Sequence, residues 1–147
     1  MSSMNGMNIS ASGMSAQRLR MDVISQNIAN VNTTRDENGD PYKRQTVIFE
    51  ERNVHTFDNA LKTAQGGTLV SNGVKVTHVA VDNETPMNMV YDPSHPDADK
   101  DGYVSYPNVN TVTEMTDLID ASRSFEANVT AFNATKNMAL KSLEVGK

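Results

Sequence analysis

Apolar residues near the start of the chain recur every seven residues, as they do along a helix that packs on another helix. The segment from about Asn5 to Asn32 contains no proline, so it is predicted to be one long helix. Polar Ser10 and Gln17 interrupt its otherwise apolar seam. The apolar positions of that seam are Met7, Met14, Met21 and Ile28, with Ile24 and Val31 three residues after the last two.

The end of the chain repeats this design from about Thr111 to Glu144. Thr111 and Glu114 have the spacing of a capping box ahead of an apolar run, and Gly146 is a natural helix stop. The seam of this predicted helix alternates spacings of three and four residues: Met115, Leu118, Ser122, Phe125, Val129, Phe132, Lys136, Ala139 and Leu143.

Each predicted helix has a second stripe of apolar or small residues. Two residues turn about 200° around a helix, so a stripe offset by two residues lies nearly opposite the first. These stripes are Ile9, Ala16 and Val23 in the first helix, and Ala127, Ala131, Ala134 and Met138 in the last. One helix pair buries only one stripe of each member, so the second stripe favours contact with further helices. A two-helix hairpin with a shared core is the alternative.

The middle of the chain, from about Thr33 to Asn110, contains all five prolines. Arg44–Glu51, Gly73–Asp82 and Met87–Tyr91 have the composition or alternation of strands, and Val54–Ala64 is ambiguous. Turn signals are Asn38-Gly39 and Asn72-Gly73, and Gly66-Gly67 indicates a loop. The predicted fold class is therefore α+β. Residues 1–32 and 111–147 form a terminal helical domain, and residues 33–110 form an inserted β-rich module with long loops.

Composition narrows the function classes. The net charge of −5 argues against a dedicated nucleic-acid binder. The absence of cysteine excludes disulfides and thiolate catalysis. No segment approaches the roughly 20 apolar residues of a membrane span. The first residues lack the basic and apolar regions of a cleavable signal peptide, so none is expected.

One segment resembles a cation site. Asp97, Asp99 and Asp101, followed by Gly102, match the start of a calcium-binding loop, but its twelfth position is Asn108 instead of a bidentate glutamate. Aspartates that close tight turns on their own backbone are the favoured interpretation. The histidines His55, His78 and His95 are scattered, and no nucleophile, phosphate or dinucleotide motif occurs. We therefore expect no catalytic residue, metal site, cofactor or small-molecule substrate.

Asparagines are concentrated at the end of the first predicted helix. Asn27, Asn30 and Asn32 are followed by Thr33, and asparagine favours helix ends and turns over helix interiors. Either the helix end frays here, or these side chains build a fixed elbow between the helix and the β-rich module.

Motifs at both ends resemble the paired signatures of bacterial flagellar rod and hook proteins. The first is Ser12-Gly13-Met14-Ser15-Ala16-Gln17 followed by Asn27 to Thr33, and the second is Met115 to Ile119 followed by Arg123 to Asn128. Thr34-Arg35-Asp36, Pro41-Tyr42 and Gly102 to Asn110 are most similar to proximal rod subunits of the basal body. The short middle argues against a hook protein. The signature residues are Gly13, Asn27, Asn30, Asn32, Thr33, Arg123, Glu126 and Asn128.

This resemblance implies a structural subunit and not an enzyme. Its terminal helices would join an inner coiled-coil layer of a hollow, torque-transmitting shaft across the periplasm. Its partners would be copies of itself, other rod proteins and the flagellar type III export apparatus, without insertion into a membrane. The expected assembly interface comprises Met14, Met21, Ile24, Ile28, Val31, Met115, Leu118, Phe125, Val129, Phe132 and Leu143.

Two other classes remain open from the residues alone. A calcium-binding or small enzymatic domain with a two-helix clasp would require the Asp97–Gly102 loop to be a working site. A helical adaptor or chaperone would be a folded monomer or dimer that binds the helix of another protein.

Overall fold

A computed structural model describes residues 3–36, 39–52, 61, 64 and 73–145. Helix α1 spans Ser3–Ala29 and helix α2 spans Thr111–Val145, which confirms both predicted helices. Neither contains proline, and the α2 segment is rich in alanine and other residues that tolerate helical geometry. Asn38, His55, Gly66-Gly67, Asn72, Gly146 and most of the ambiguous Val54–Ala64 segment lie outside the described residues.

Four strands are described between the helices: β1 (Gln45–Glu51), β2 (Val74–Val81), β3 (Asn88–Tyr91) and β4 (Tyr103–Tyr106). They form two two-stranded sheets, β1–β2 and β3–β4. The β3–β4 pair is antiparallel, with Asn88 opposite Tyr106 and Tyr91 opposite Tyr103. The first three strands confirm the sequence-based prediction. Strand β4 was not predicted. Its four residues, Tyr103–Tyr106, directly follow the acidic Asp97–Gly102 segment, and the pattern there was interpreted as part of a loop.

The first of two compact units comprises residues 1–18, 48–77 and 122–147. Within it α1 and α2 run antiparallel: Gly6 faces Thr135, and Gly13 faces Asn128. Ala16 is buried. The backbone N–H of Val74 at the start of β2 donates to the Ser12 hydroxyl at 3.1 Å, which joins the strand to α1.

The second compact unit comprises residues 19–47 and 78–121. Here too the helices run antiparallel, because Asn27 meets Glu114 while Arg20 meets Asp117. Its buried apolar residues come from both helices, from β1 and β4, and from the segment before α2: Val23, Ile24, Val47, Val104, Val109 and Ala121.

The start of α2 differs from the prediction. Asn110 is the N-cap, since its Oδ1 atom accepts hydrogen bonds from the backbone N–H groups of Val112 at 3.0 Å and Thr113 at 3.3 Å. The predicted capping box of Thr111 and Glu114 is therefore wrong. An asparagine preceding the helix supplies the cap, which leaves the Glu114 side chain available for contacts with α1.

Candidate assembly interface and helix junction

A buried asparagine joins α1, β1 and α2. Asn27 is 0% exposed. Its Nδ2 group donates to the Gln45 carbonyl at 2.8 Å and to Glu114 Oε2 at 2.9 Å. Its Oδ1 atom accepts from the Tyr42 hydroxyl at 2.9 Å and from the Gln45 N–H at 3.0 Å. The amide thus uses both donors and two lone pairs, which is its full hydrogen-bonding capacity.

Charged side chains extend this junction. Glu114 is also 0% exposed, and its Oε1 atom accepts from Arg44 Nε at 2.6 Å. Arg44 reaches Asp117 at 3.6 Å, and Arg20 of α1 pairs with the same aspartate at 3.2 Å. A buried carboxyl group is costly unless paired and hydrogen-bonded, and this one has partners on both oxygens.

Tyr42 lies at the edge of the junction. Burial first, and the neighbouring Glu114 carboxyl second, raise the pKa of the Tyr42 phenol above its ordinary value. The neutral hydroxyl is the form that donates to Asn27. Beside Glu114 and Asp117 lies a partly open cavity of about 30 Å³, which is room for about one water molecule.

Asn30 orders the chain that follows α1. Asn30 donates to the Gln26 carbonyl at 2.9 Å, and the Thr33 hydroxyl donates to Asn30 Oδ1 at 3.2 Å. The Thr33 carbonyl then accepts from the Tyr42 N–H at 3.2 Å. The end of α1 is therefore a fixed elbow and not a frayed terminus, as one of the two interpretations of the asparagines predicted.

Asn108 fixes the β-rich segment to the same junction. Its Oδ1 atom accepts from the Arg44 N–H at 2.8 Å, and its Nδ2 group donates to the carbonyls of Asp82 and Thr85 at 3.3 and 3.2 Å. This residue, Arg44 and Glu114 were not predicted as site residues. Glu114 had been assigned to a cap, and the others lie in segments where a sequence pattern gives no indication of distant partners.

Two predicted signature residues meet where the helices approach closely. A Cβ atom at Gly13 would lie 2.8 Å from Asn128 Oδ1, so only glycine fits without displacing that side chain. The Asn128 amide also donates to the Ser124 carbonyl at 2.8 Å. Arg123, Glu126 and Asn32, by contrast, are exposed.

The predicted assembly residues fall into three groups by exposure. Ile24 is buried, whereas Met115 and Leu143 are exposed by 54% and 70%. The half-buried ones are Met14, Met21, Ile28, Val31, Leu118, Phe125, Val129 and Phe132. The buried residues of α1 come from both stripes: Ser10 and Ile24 from the first seam, Ala16 and Val23 from the second stripe, and Asn27 between them.

Helix α2 exposes large apolar side chains over much of its length. The exposed fractions are 74% for Val112, 53% for Ile119, 64% for Met138 and 50% for Leu140, besides Met115 and Leu143. Val112, Ile119 and Leu140 were not in the predicted interface, although the sequence has them at multiples of seven residues. Among the described residues no helix combines the length and the apolar character needed to cross a membrane.

The Asp97–Gly102 loop closes on itself. Asp99 Oδ1 accepts from the backbone N–H groups of Asp101 at 2.9 Å and Tyr103 at 3.0 Å. Asp97 accepts from the Thr34 hydroxyl at 2.8 Å and pairs with Arg35 at 3.6 Å. Across the part of the chain that is described, no group of three or more acidic or histidine side chains is arranged to hold a metal ion. Asp99 therefore closes the turn on its own backbone, and Asp97 joins the loop to Thr34 and Arg35.

The arrangement is that of a structural subunit: two long helices joined to small sheets by a buried polar junction, with exposed apolar positions on α2.

Comparison with known families agrees. Residues 7–35 match the family described as "Flagella basal body rod protein". Residues 100–145 match the family described as "Flagellar basal body rod FlgEFG protein C-terminal". The class is therefore flagellar basal-body rod protein.

Curated relatives give the particular family. The chain is 46% identical to the flagellar basal-body rod protein FlgC of Bacillus subtilis, over 100% of both chains. It is 43% identical to FlgC of Borreliella burgdorferi, over 96% of this chain and 95% of the relative. It is 37% identical to FlgC of Salmonella typhimurium, over 100% of both. The chain belongs to the FlgC family of flagellar basal-body rod proteins, which are structural rod subunits and not enzymes.

Proposed function

We propose that this chain builds the proximal rod by packing its two helices against helices of neighbouring subunits, both copies of itself and other rod proteins. The observation that carries the proposal is the exposed apolar side of α2, where Val112, Met115 and Ile119 are 74%, 54% and 53% exposed. Covering a Val, Leu, Ile or Met side chain contributes about 1.5–3 kcal/mol when burial is complete. Such contacts, repeated over many subunits, add up to a stiff assembly.

The helices then form the inner coiled-coil layer of a hollow shaft, and the predicted terminal domain of residues 1–32 and 111–147 is that layer. The predicted interface residues with half-buried side chains have apolar surface left for a second helix. The junction of Asn27, Arg44 and Glu114 suits torque transmission, since it ties the helices to β1 through directional bonds. Delivery by the type III export apparatus belongs to the same proposal.

The proposal is tested by placing a charge on the exposed side of α2. Ile119→Asp should leave the isolated chain folded, with a stability change under about 1 kcal/mol, because the position is exposed. It should abolish rod assembly, since the new carboxylate would be buried without a partner between subunits. The measurement is swimming, with electron microscopy of basal bodies, in cells whose native subunit is replaced by the variant.

Thr113→Asp is the matched control, because it adds the same charge to the same exposed helix about a third of a turn away. It should retain motility. Normal swimming of the Ile119→Asp strain would overturn the proposal. Ile28→Asp and Phe125→Asp are also expected to block assembly, but both side chains are half-buried within the chain, so they test folding as well.

A further inference from the structure

The two compact units differ in the sign of their charge. Residues 19–47 and 78–121 contain five basic and 13 acidic side chains, a net charge of −8. Residues 1–18, 48–77 and 122–147 contain eight basic and five acidic side chains, a net charge of +3. Most acidic residues of the negatively charged unit lie in loops and not at a helix N-terminus. Stabilisation of the α2 dipole therefore does not account for the difference in charge between the units. Two copies of the chain are therefore electrostatically complementary when unlike units meet.

The acidic unit exposes an aromatic face on its β3–β4 hairpin. Met89, Tyr91 and Tyr103 lie on one side of the hairpin, as the register requires, and are 54%, 64% and 43% exposed. We call these three residues the tyrosine face. Val104 points to the opposite side and is fully buried. Tyrosine and methionine are enriched where proteins bind one another, which makes this face suited to a docking contact.

The tyrosine face is held in shape before any partner arrives. The rings of Tyr91 and Tyr103 meet edge to face at 5.3 Å. Gly102 has φ +83°, and a Cβ atom there would lie 2.9 Å from Tyr91 Cε2. Pro93 packs on the same glycine. A preorganised aromatic pair loses little side-chain entropy on binding. Its rim is acidic, with Asp92, Asp99 and Asp101 in the adjoining turns.

The basic unit has a surface of matching chemistry near the end of α2. Lys136, Leu140 and Leu143 are spaced by four and three residues, so they share one side of the helix. All three are exposed, Leu140 by 50% and Leu143 by 70%. We call them the lysine–leucine strip. It offers apolar area for tyrosine rings and a cation for the acidic rim.

We propose that the tyrosine face of one copy docks on the lysine–leucine strip of a second copy. The contact is heterologous: each chain uses one surface towards one neighbour and the other surface towards the next, so the contact propagates along an assembly. This inference rests on the proposed function, in which copies of the chain associate with one another, and it names the two surfaces that meet when they do.

Crosslinking between single-cysteine chains tests the contact directly, because the natural chain has no cysteine. Ser105→Cys places a thiol beside the tyrosine face, and Ala139→Cys places one beside the lysine–leucine strip; both substitutions are small and spare all six contact residues. The two variants are mixed and treated with a short bismaleimide. The mixed heterodimer should exceed either homodimer by about fivefold or more. Random pairing of an equimolar mixture gives a heterodimer about twice as abundant as either homodimer, so a ratio of about two or less would overturn the inference.

Two charge variants then separate a specific contact from general repulsion. Lys136→Glu and Lys100→Glu change the net charge of the whole chain equally. Lys136→Glu should lower the heterodimer yield about fivefold, because it places a carboxylate opposite the acidic rim. Lys100→Glu should leave the yield unchanged or raise it, because that residue lies within the rim itself. An equal loss in both variants would overturn the inference. The two proposals can fail separately. If Ile119→Asp abolishes rod assembly in cells but the crosslink does not form, the contact between the tyrosine face and the lysine–leucine strip is wrong and the proposed function stands.

Discussion

At the scale of single residues, Asn27 has the greatest structural consequence. A side-chain amide can donate two hydrogen bonds and accept two. Here all four are made, to the Gln45 carbonyl, the Gln45 N–H, the Glu114 carboxylate and the Tyr42 hydroxyl. Aspartate would lose both donors and face Glu114 with a like charge. A leucine of similar size would leave Glu114 Oε2 and the backbone groups of Gln45 without their Asn27 partner.

Replacing Asn27 by alanine should therefore destabilise the folded chain by about 2–4 kcal/mol, since several buried polar groups lose a partner at once. Asn32→Ala is the control, because Asn32 is exposed and should cost less than about 0.5 kcal/mol. Urea unfolding of both variants by circular dichroism measures the difference. Equal midpoints for the two variants would show that the junction contributes nothing to stability.

Tyr42 gives the junction a predictable response to alkaline pH. Its folded-state pKa is raised, so its contribution to stability is complete below the ordinary tyrosine pKa of about 10 and is lost as pH rises through the folded-state value. The unfolding free energy of the natural chain should fall above pH 10 more steeply than that of Tyr42→Phe. Lysines titrate in the same range in both proteins, so the comparison isolates Tyr42. Parallel pH profiles would contradict the expectation.

At the scale of elements, periodicity and proline placement were enough to locate both helices and three of the four described strands. Boundaries depended on local side chains: Asn110 caps α2, which a pattern of Thr111 and Glu114 had assigned one residue too late. Strand β4 was missed because four residues between an acidic turn and Pro107 give little alternation to detect. The cap is a local contact that the preference of asparagine for the N-cap position could have indicated, whereas strand β4 is defined by its pairing with β3, which the sequence pattern does not show.

The close approach of α1 and α2 at Gly13 gives a prediction at the same scale. Gly→Ala in a helix interior usually stabilises by about 1 kcal/mol, but here the new methyl group would meet Asn128 Oδ1. Gly13→Ala alone should therefore gain no stability. In an Asn128→Ala background the same substitution should recover about 1 kcal/mol. Unfolding free energies of the two single variants and the double variant give the coupling, and additive values would refute the close contact.

At the scale of the whole molecule, the sequence indicated the class of protein more readily than its surfaces. A heptad shows that a helix has partners, but not which side faces its own chain, because both sides are apolar. On α1 the buried residues include the expected Ile24, but also Ala16 and Val23 of the second stripe and Asn27 between the stripes. The polar junction was indicated only by its asparagines. Of its other members, Tyr42 meets Asn27 across only 15 residues, whereas Arg44 and Glu114 acquire a role only when segments 70 residues apart come together.

The junction also orders events in time. Asn27 and Glu114 are 87 residues apart, so one partner exists long before the other in any chain that emerges N-terminus first. Before Glu114 arrives, the Asn27 amide can already bond Tyr42 and Gln45, but its remaining hydrogen bond is to water and α1 is not yet joined to α2 at this point. Closing a loop of that length is slow, because its conformational entropy is lost before the contact between Asn27 and Glu114 contributes any stabilisation. The contact between the two helices at this junction can thus form only after the start of α2 is present. Until then the N-terminal segments remain without this contact, and the chain completes the junction late.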